Sequence, residues 1–335
     1  MKKIGLRLVC RVKEEGIMSK FTFLILNYNT SKETEECIRS IEKLKQDGDK
    51  IQIVVVDNDS KDDSLTKFNE LYTLKKNIHI ICNKKNEGFS KGNNYGYQYI
   101  WENIDTDFLI MINSDIECRQ VDFLKYIKDI YNETHFWVLG PDVYAFHMKI
   151  HQNPIRRDLP GLEKQKAELE KQKKTLQNYI QKRNQGKKYV SKFNRQVLEE
   201  YFYKYGKRFH LDRLKKGNLN YKNQYENVLL HGSAIIFSRK YIEKYKHVLY
   251  PEPFYYGEED LLYLKCQRNG EKMIYDPRIK VWHAVGASAT KTKGKRYTID
   301  REIFQYENYI QTKKMFINVM QNKDFFECDI RSKDK

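Results

Sequence analysis

The sequence predicts an α/β protein: a mostly parallel twisted sheet flanked by helices, with a basic helical insertion. Three observations carry that class. Short apolar runs rich in β-branched and aromatic residues alternate with stretches of helical period from residue 21 to about residue 131, and such alternation implies parallel strands joined by crossover helices. Polar or acidic residues follow each apolar run, at the place where strands of an open parallel sheet end and ligands bind. From residue 161 to 226 the composition shifts to eighteen Lys and Arg against seven Asp and Glu, a block distinct from the pattern before it.

The elements follow in order. Residues 21–26 suit a buried first strand, and Ser31 opens a helix to about Lys45, with Ile38, Ile41 and Leu44 at helical spacing. Residues 51–56 suit a second buried strand, and Asp59-Ser60 can cap the helix after it. A third strand is expected over 78–82 and a helix over 90–101, although Gly92 and Gly96 lower its helical propensity. Residues 108–112 suit a fourth strand, followed by a helix over 121–131. In the basic stretch, residues 162–180 are rich in Lys, Glu and Gln and are expected as an exposed helix, because structureless loops beyond ~15 residues are uncommon in compact domains. The sheet pattern returns at 233–237. A helix over 258–268, short strands over 273–275 and 279–282, and an amphipathic helix over 301–320 complete the chain.

Composition bounds the function. The 335 residues are 40% hydrophobic and 32% charged, with a formal charge of +17. That is a packed core with charged additions, and a basic face suits phosphates, nucleic acid or an anionic membrane surface. The six cysteines, Cys10, Cys37, Cys82, Cys118, Cys266 and Cys328, are widely spaced with no C-x-x-C pair. This speaks against a disulfide framework or metal cluster and for reduced cytosolic thiols. No apolar run approaches the ~20 residues that span a bilayer, and Arg7 interrupts the apolar stretch 4–10, which makes a poor secretory signal. Glu14-Glu15-Gly16 could be encoded by a purine-rich stretch resembling a bacterial ribosome-binding site just before Met18. Translation is therefore expected to start at Met18, and an intact mass that includes residues 1–17 would refute this.

The informative residues sit just after the strands. They are Asn27-Tyr28-Asn29, then Asp57-Asn58-Asp59-Ser60, then Asn86-Glu87-Gly88-Phe89-Ser90-Lys91-Gly92-Asn93-Asn94, then Asn113-Ser114-Asp115. Acidic groups there can accept from a base N–H or a ribose hydroxyl, glycines let backbone approach a ligand, and helix N-termini favour phosphate. Taken singly, each is also an ordinary helix cap or turn. Their conjunction at one sheet edge favours a ligand site.

In this order and spacing the chain resembles glycosyltransferase family 2, inverting enzymes with the nucleotide-diphospho-sugar-binding A-type fold. The residues that carry the resemblance are Ile25 to Asn29, Val56 to Ser60, Asn86 to Phe89 with Asn94, Asn113-Ser114-Asp115, Gly257-Glu258-Glu259-Asp260, and Trp282-His283 through Ser288. It covers about 21–154 and 230–288 and omits the basic stretch between. The resemblance implies that Asp57 contacts the nucleotide base and that the segment 86–94 lies against the donor. Asn27, Asn29, Asn86, Gly88, Lys91, Asn94 and Asn113 join Asp57 as expected donor-binding residues. It implies a divalent metal, Mn2+ or Mg2+, held by Asp115 and His283. Asn113 stands where the family's Asp-x-Asp motif has its first Asp, so metal affinity is expected to lean on the donor diphosphate. Alone, a His after a Trp at a strand end is more often structural. The implied donor is a nucleotide-diphospho-sugar, a UDP-sugar first, and the acceptor a glycan or lipid-linked glycan of the cell surface.

The chemistry needs a carboxylate to take the proton of the attacking hydroxyl, and a cation for the charge growing on the departing diphosphate. Glu258, Glu259 and Asp260 open a helix, where acids also simply favour the dipole. Adjacent carboxylates raise one another's pKa toward that of a useful base. The resemblance places the base at Glu259, with Asp260 as runner-up. His231 is even between an acceptor-side role and a structural one.

The expected organisation is an extension over 1–20, a nucleotide-sugar-binding half over 21–155, the basic insertion over 156–228, an acceptor and catalytic half over 229–290, and a helical tail over 291–335. The insertion is either a solvated face or an attachment to an anionic membrane, and Tyr201, Tyr203 and Tyr205 interleaved with Lys204 and Lys207 suit an interface. A cytoplasmic protein, peripheral on the inner membrane face, is the matching location. The rivals are a nucleic-acid-binding or scaffold protein, with steeply salt-dependent binding, and an inactive donor-binding relic. The ordered edge motifs speak against nucleic acid, and oligomeric state has no sequence signature.

Overall fold

The computed structural model describes residues 18–185, 219–251, 253–285 and 299–332. The expected Met18 start and the tyrosines at 201–205 concern residues outside that set, as does the Ser288 end of the sixth motif.

One ten-stranded sheet organises the molecule, with strand order β3-β2-β1-β4-β9-β6-β10-β5 and with β7 and β8 paired on β6 and β10. The first four strands are β1 (Lys20–Asn27), β2 (Lys50–Asp57), β3 (Ile78–Cys82) and β4 (Phe108–Asn113), all mutually parallel. Their side chains alternate between two cores, as a sheet covered on both faces requires. Phe21, Phe23, Ile25, Ile53, Val55 and Ile110 point to one face, under α1 (Ser31–Glu42), α2 (Ser64–Tyr72) and α4 (Phe123–Thr134). Leu24, Val54, Val56, Leu109 and Met111 point to the other, under α3 (Gly88–Asn103).

The glycines that lowered the expected propensity of α3 have a packing reason. A Cβ on Gly96 would sit 2.4 Å from Leu24 Cδ1 and 2.6 Å from Val56 Cγ2, and one on Gly92 would sit 2.7 Å from Leu26 Cδ1. The helix lies on β1 and β2 at a distance that only a missing side chain permits.

Four expectations are corrected. Residues 138–145 form β6 (Val138–Ala145), a central strand between β9 (Ala234–Ser238) and β10, which the sequence pattern did not reveal. The two short strands expected over 273–282 are one strand, β10 (Met273–His283), with a register shift between Asp276 and Lys280. Asp59-Ser60 does not cap α2. That helix starts at Ser64, whose N–H is accepted by Asp62 Oδ1 at 3.1 Å. The helix expected as exposed, α5 (Leu162–Asn184), buries Gln165, Leu169 and Tyr179 and packs along α8 (Ile299–Gln321). The remaining helices are α6 (Arg239–Lys244) and α7 (Glu258–Asn269).

Strand direction decides what meets at the edge. β6 and β10 run parallel to each other, while β9 runs antiparallel to both β4 and β6. The start of β9 therefore lies beside the end of β4, with Ala234 opposite Ile112 and the Asn113 N–H donating to Ser233 O at 2.9 Å. After β4 the short β5 (Ile116–Glu117) pairs antiparallel with the end of β10, His283 opposite Ile116. The described cysteines are all free, and no helix among the described residues is long and apolar enough to cross a membrane.

Candidate functional site

Two clusters form at the shared edge. The first joins the ends of β1, β2 and β3. Asn27 and Asp57 are register partners, and Asn27 Nδ2 donates to Asp57 Oδ2 at 2.7 Å. Asp57 Oδ1 accepts the Ser60 N–H at 2.9 Å, and Ser60 Oγ accepts from Asn27 Nδ2 at 3.0 Å and from the Asn29 N–H at 2.9 Å. Asn27 Oδ1 accepts from Thr30 and Thr34, so Asn27 serves to lock Asp57 rather than to reach a ligand. Asn29 adopts a positive φ of 54° and its Oδ1 accepts the Lys61 N–H at 2.6 Å.

Asn58, named within the motif after the second strand but given no role there, is the tie to the third strand end. Its side chain donates to Asn86 Oδ1 and Gly88 O, both at 3.1 Å, and accepts from Asn83 Nδ2 and the Glu87 N–H. Asn86 Oδ1 also accepts the Gly88 N–H at 2.9 Å. Gly88 has φ +79° and lies against Phe254, whose carbonyl accepts the Phe89 N–H at 2.8 Å. Two expected donor residues stand apart. Asn94 spends both ends of its amide on the Leu249 backbone, at 2.8 and 3.2 Å. Lys91 is exposed on α3.

The second cluster gathers Asn113, Asp115, His231, Glu259 and His283. The β5–β10 pairing places His283 Nε2 3.3 Å from Asp115 Oδ1, with the Ala284 N–H donating to Asp115 O at 3.0 Å. Both residues are buried, at 6% exposure each. Gln152 was missed; its Oε1 lies 2.6 Å from His283 Nδ1 and accepts the Nδ1 proton. With Nδ1 engaged by Gln152, Nε2 is the ring nitrogen that faces the Asp115 carboxylate, the arrangement in which a second-shell partner orients a metal-binding histidine. Asn113 Oδ1, two residues from Asp115, is buried without a hydrogen-bond partner. A nitrogen lone pair, a carboxylate and an orphaned amide oxygen fit a divalent cation. Among the described residues no group of three or more His, Cys, Asp or Glu makes a ready-made cage, so further oxygens must come from a ligand.

Glu259 enters the cluster through Gly232, whose N–H donates to Glu259 Oε1 at 3.1 Å. Beside it the His231 ring lies 6.0 Å from that of His283 and its Nδ1 is 2.9 Å from Ser233 Oγ. Burial, then His283, lowers the His231 pKa to about 4, so its ring is neutral at pH 7. Thr30 joins the two clusters: its hydroxyl donates to Asn27 Oδ1 at 2.9 Å, and its oxygen lies 3.1 Å from Ser114 Oγ, whose own proton can complete that bond.

The three acids of α7 part company. Glu258 is buried, and desolvation with Glu259 alongside raises it well above the usual carboxylate range. Glu259 is half-buried and raised by desolvation. Asp260 is raised by burial against the opposing pull of Arg156 and Lys313, and it pairs with Arg156 at 2.9 Å on another side of the helix. Of the three, Glu259 faces the Asp115–His283 cluster through Gly232.

An α/β sheet with a polar edge where its parallel strands end is the setting in which open sheets of this kind bind their ligands. Residues 22–183, just under half of the chain, match the glycosyl transferase family 2 model. Agl10 of Haloferax volcanii, a low-salt glycan biosynthesis hexosyltransferase, is 22% identical over 134 residues, 40% of this chain and 39% of its own. An uncharacterized protein of Methanocaldococcus jannaschii is 28% identical over 130 residues, 38% of this chain and 54% of that one. The matched region thus spans about two fifths to half the length of these curated relatives. Among solved structures, S. aureus TarS in complex with UDP-GlcNAc is 23% identical with a TM-score of 0.33, over 42% of this chain and 37% of that one. The mannosyltransferase PcManGT from Pyrobaculum calidifontis, in complex with GDP-Man and Mn2+, is 12% identical with a TM-score of 0.48, over 95% and 77%.

Proposed function

We propose that the chain is an inverting glycosyltransferase. It moves a sugar from a nucleotide-diphospho-sugar, a UDP-sugar first, to a hydroxyl of a glycan or lipid-linked acceptor. The observation that carries this is the meeting of Asp115, His283 and Glu259 at one edge, produced by the β5–β10 pairing and the antiparallel course of β9. The family match over 22–183 supports it.

Asp57, fixed by Asn27 and Ser60, takes the nucleotide, with Asn29 and the Asn86–Gly88 turn beside it. Asp115 and His283, with Asn113 close by, would hold Mn2+ or Mg2+, with the donor diphosphate completing the site. A cation held there supplies charge stabilisation for the departing diphosphate. Glu259 accepts the proton of the acceptor hydroxyl as its oxygen bonds to the anomeric carbon. The bond from that carbon to the diphosphate oxygen breaks on the opposite face, and configuration inverts. Asp260 is tied to Arg156 and is the second candidate base. The acceptor belongs to a cell-surface glycan, and the basic insertion 156–228 holds the protein against the anionic inner face of the membrane.

Glu259→Gln tests the role of the base. Transfer is expected to fall below detection while donor binding stays within about twofold, since the base acts in the transition state. Full retained transfer moves the role to Asp260 or out of this motif.

A further inference from the structure

A cavity of about 430 Å3 lies outside the clusters described above, between α5 and α8. That volume falls within the ~300–1,000 Å3 of small-molecule sites. One face of α5 lines it with Gln165, Gln172 and Thr175, and one face of α8 with Tyr306, Tyr309 and Lys313. The start of α7 borders it through Tyr256, Gly257 and Asp260. The helix turn that offers Glu259 to Gly232 therefore offers Asp260 to this cavity.

We propose that the cavity is a saccharide subsite that takes a neutral sugar unit of the acceptor, set back from the hydroxyl that reacts. Calling that sugar an acceptor rests on the transfer reading; the binding of a sugar does not. The wall is aromatic and polar at once. Tyr256 and Tyr309 lie with ring centroids 4.5 Å apart, and Tyr306 meets Tyr309 edge-on at 6.1 Å. Such rings give a flat apolar surface with a polar rim, which suits the C–H face of a pyranose. Two cations of the wall are paired. Arg156 pairs with Asp260 at 2.9 Å, and Lys313 donates to Gln165 Oε1 at 2.6 Å and lies 3.7 Å from Glu168. Lys171 is a third cation of the wall, and the anionic members of the array in the test below show whether it draws an anion in place of a neutral sugar. A guanidinium with five N–H groups and a carboxylate with about four acceptor positions keep hydrogen-bonding capacity after one mutual bond, and these two side chains remain 40% and 22% exposed. A hydroxyl both donates and accepts, so it satisfies both members of the pair, whereas a phosphate satisfies only the cation.

The test uses the full chain on an array of neutral and anionic oligosaccharides, with two variants. Tyr309→Ala removes the central ring. Thr175→Trp fills the cavity from α5, at a residue whose own hydroxyl bonds back to Lys171 O within the helix. The melting-temperature shift with a UDP-sugar and Mn2+ is measured on the same samples. The expected result is a neutral oligosaccharide bound by the wild type and held about tenfold more weakly by both variants, with the donor shift unchanged. Binding unaltered by both variants overturns the proposal, as does an array on which no neutral oligosaccharide binds. Variant-sensitive sugar binding without any donor shift leaves the subsite standing and removes the transferase reading instead.

Discussion

Gly232→Ala is the sharpest perturbation this structure offers, because it moves the base without changing it. A Cβ at Gly232 would lie 2.5 Å from Glu259 Oε1, 3.0 Å from its Cδ and 3.1 Å from its Cγ. Carbon contacts settle near ~3.5 Å, so the carboxylate must retreat by about 1 Å. A misplacement of that size in a catalytic constellation costs on the order of 10²-fold in rate, or ~2.7 kcal/mol. The same change is nearly neutral for stability. It loses the Gly232 N–H bond, about 1 kcal/mol, and gains about 0.4–1 kcal/mol from a stiffer unfolded chain. Steady-state transfer and melting curves on one preparation check both sides. The expected result is kcat lower by about 100-fold with melting within about 3 °C of wild type. An unchanged kcat would refute the placement of Glu259 as base, and a collapsed fold would refute the claim that only a side-chain end must yield.

Two further outcomes follow from the same geometry. Glu259 must be ionised to accept a proton, and burial raises its pKa above the ordinary 4.5. The kcat/KM profile should therefore lose activity on the acid side at a pH above 4.5, since the neutral form grows as pH falls through the raised pKa; a flat profile down to pH 4.5 contradicts the assignment. Gly96→Ala drives a methyl group to 2.4 Å from Leu24 and 2.6 Å from Val56 inside the second core. Thermal or urea unfolding should show a loss of ~1–3 kcal/mol from this overpacking, with the Asp115–His283 pair left in place.

Much of this architecture was legible because it depends on local pattern. β1, β2 and β4 showed as β-branched and aromatic runs because both faces of the sheet are covered. The polar residues after them showed because parallel strands end together. β6 was hidden by Gly140-Pro141-Asp142, which break its apolar run although the strand is buried in the sheet centre. The buried face of α5 was hidden because Gln165 and Tyr179 do work that a sequence pattern expects of Leu or Ile. The meeting of Asp115, His283 and Glu259 was implied by the family resemblance and by no spacing of the residues themselves, because it follows from the antiparallel course of β9 and the β5–β10 pairing. Gln152 and Asn58 act through partners 131 and 28 to 30 residues away in sequence, and no spacing rule announces such contacts.

The central claim is that Asp115 and His283 hold a cation that fixes a nucleotide-sugar at this edge. The direct measurement is the melting temperature with and without Mn2+ across UDP-, TDP- and GDP-sugars, on wild type and Asp115→Ala. A donor at 100 times its dissociation constant adds ~2.7 kcal/mol. The account predicts a shift with one nucleotide that requires Mn2+ and vanishes in Asp115→Ala. No shift with any donor, or a shift that survives without Asp115, would contradict it.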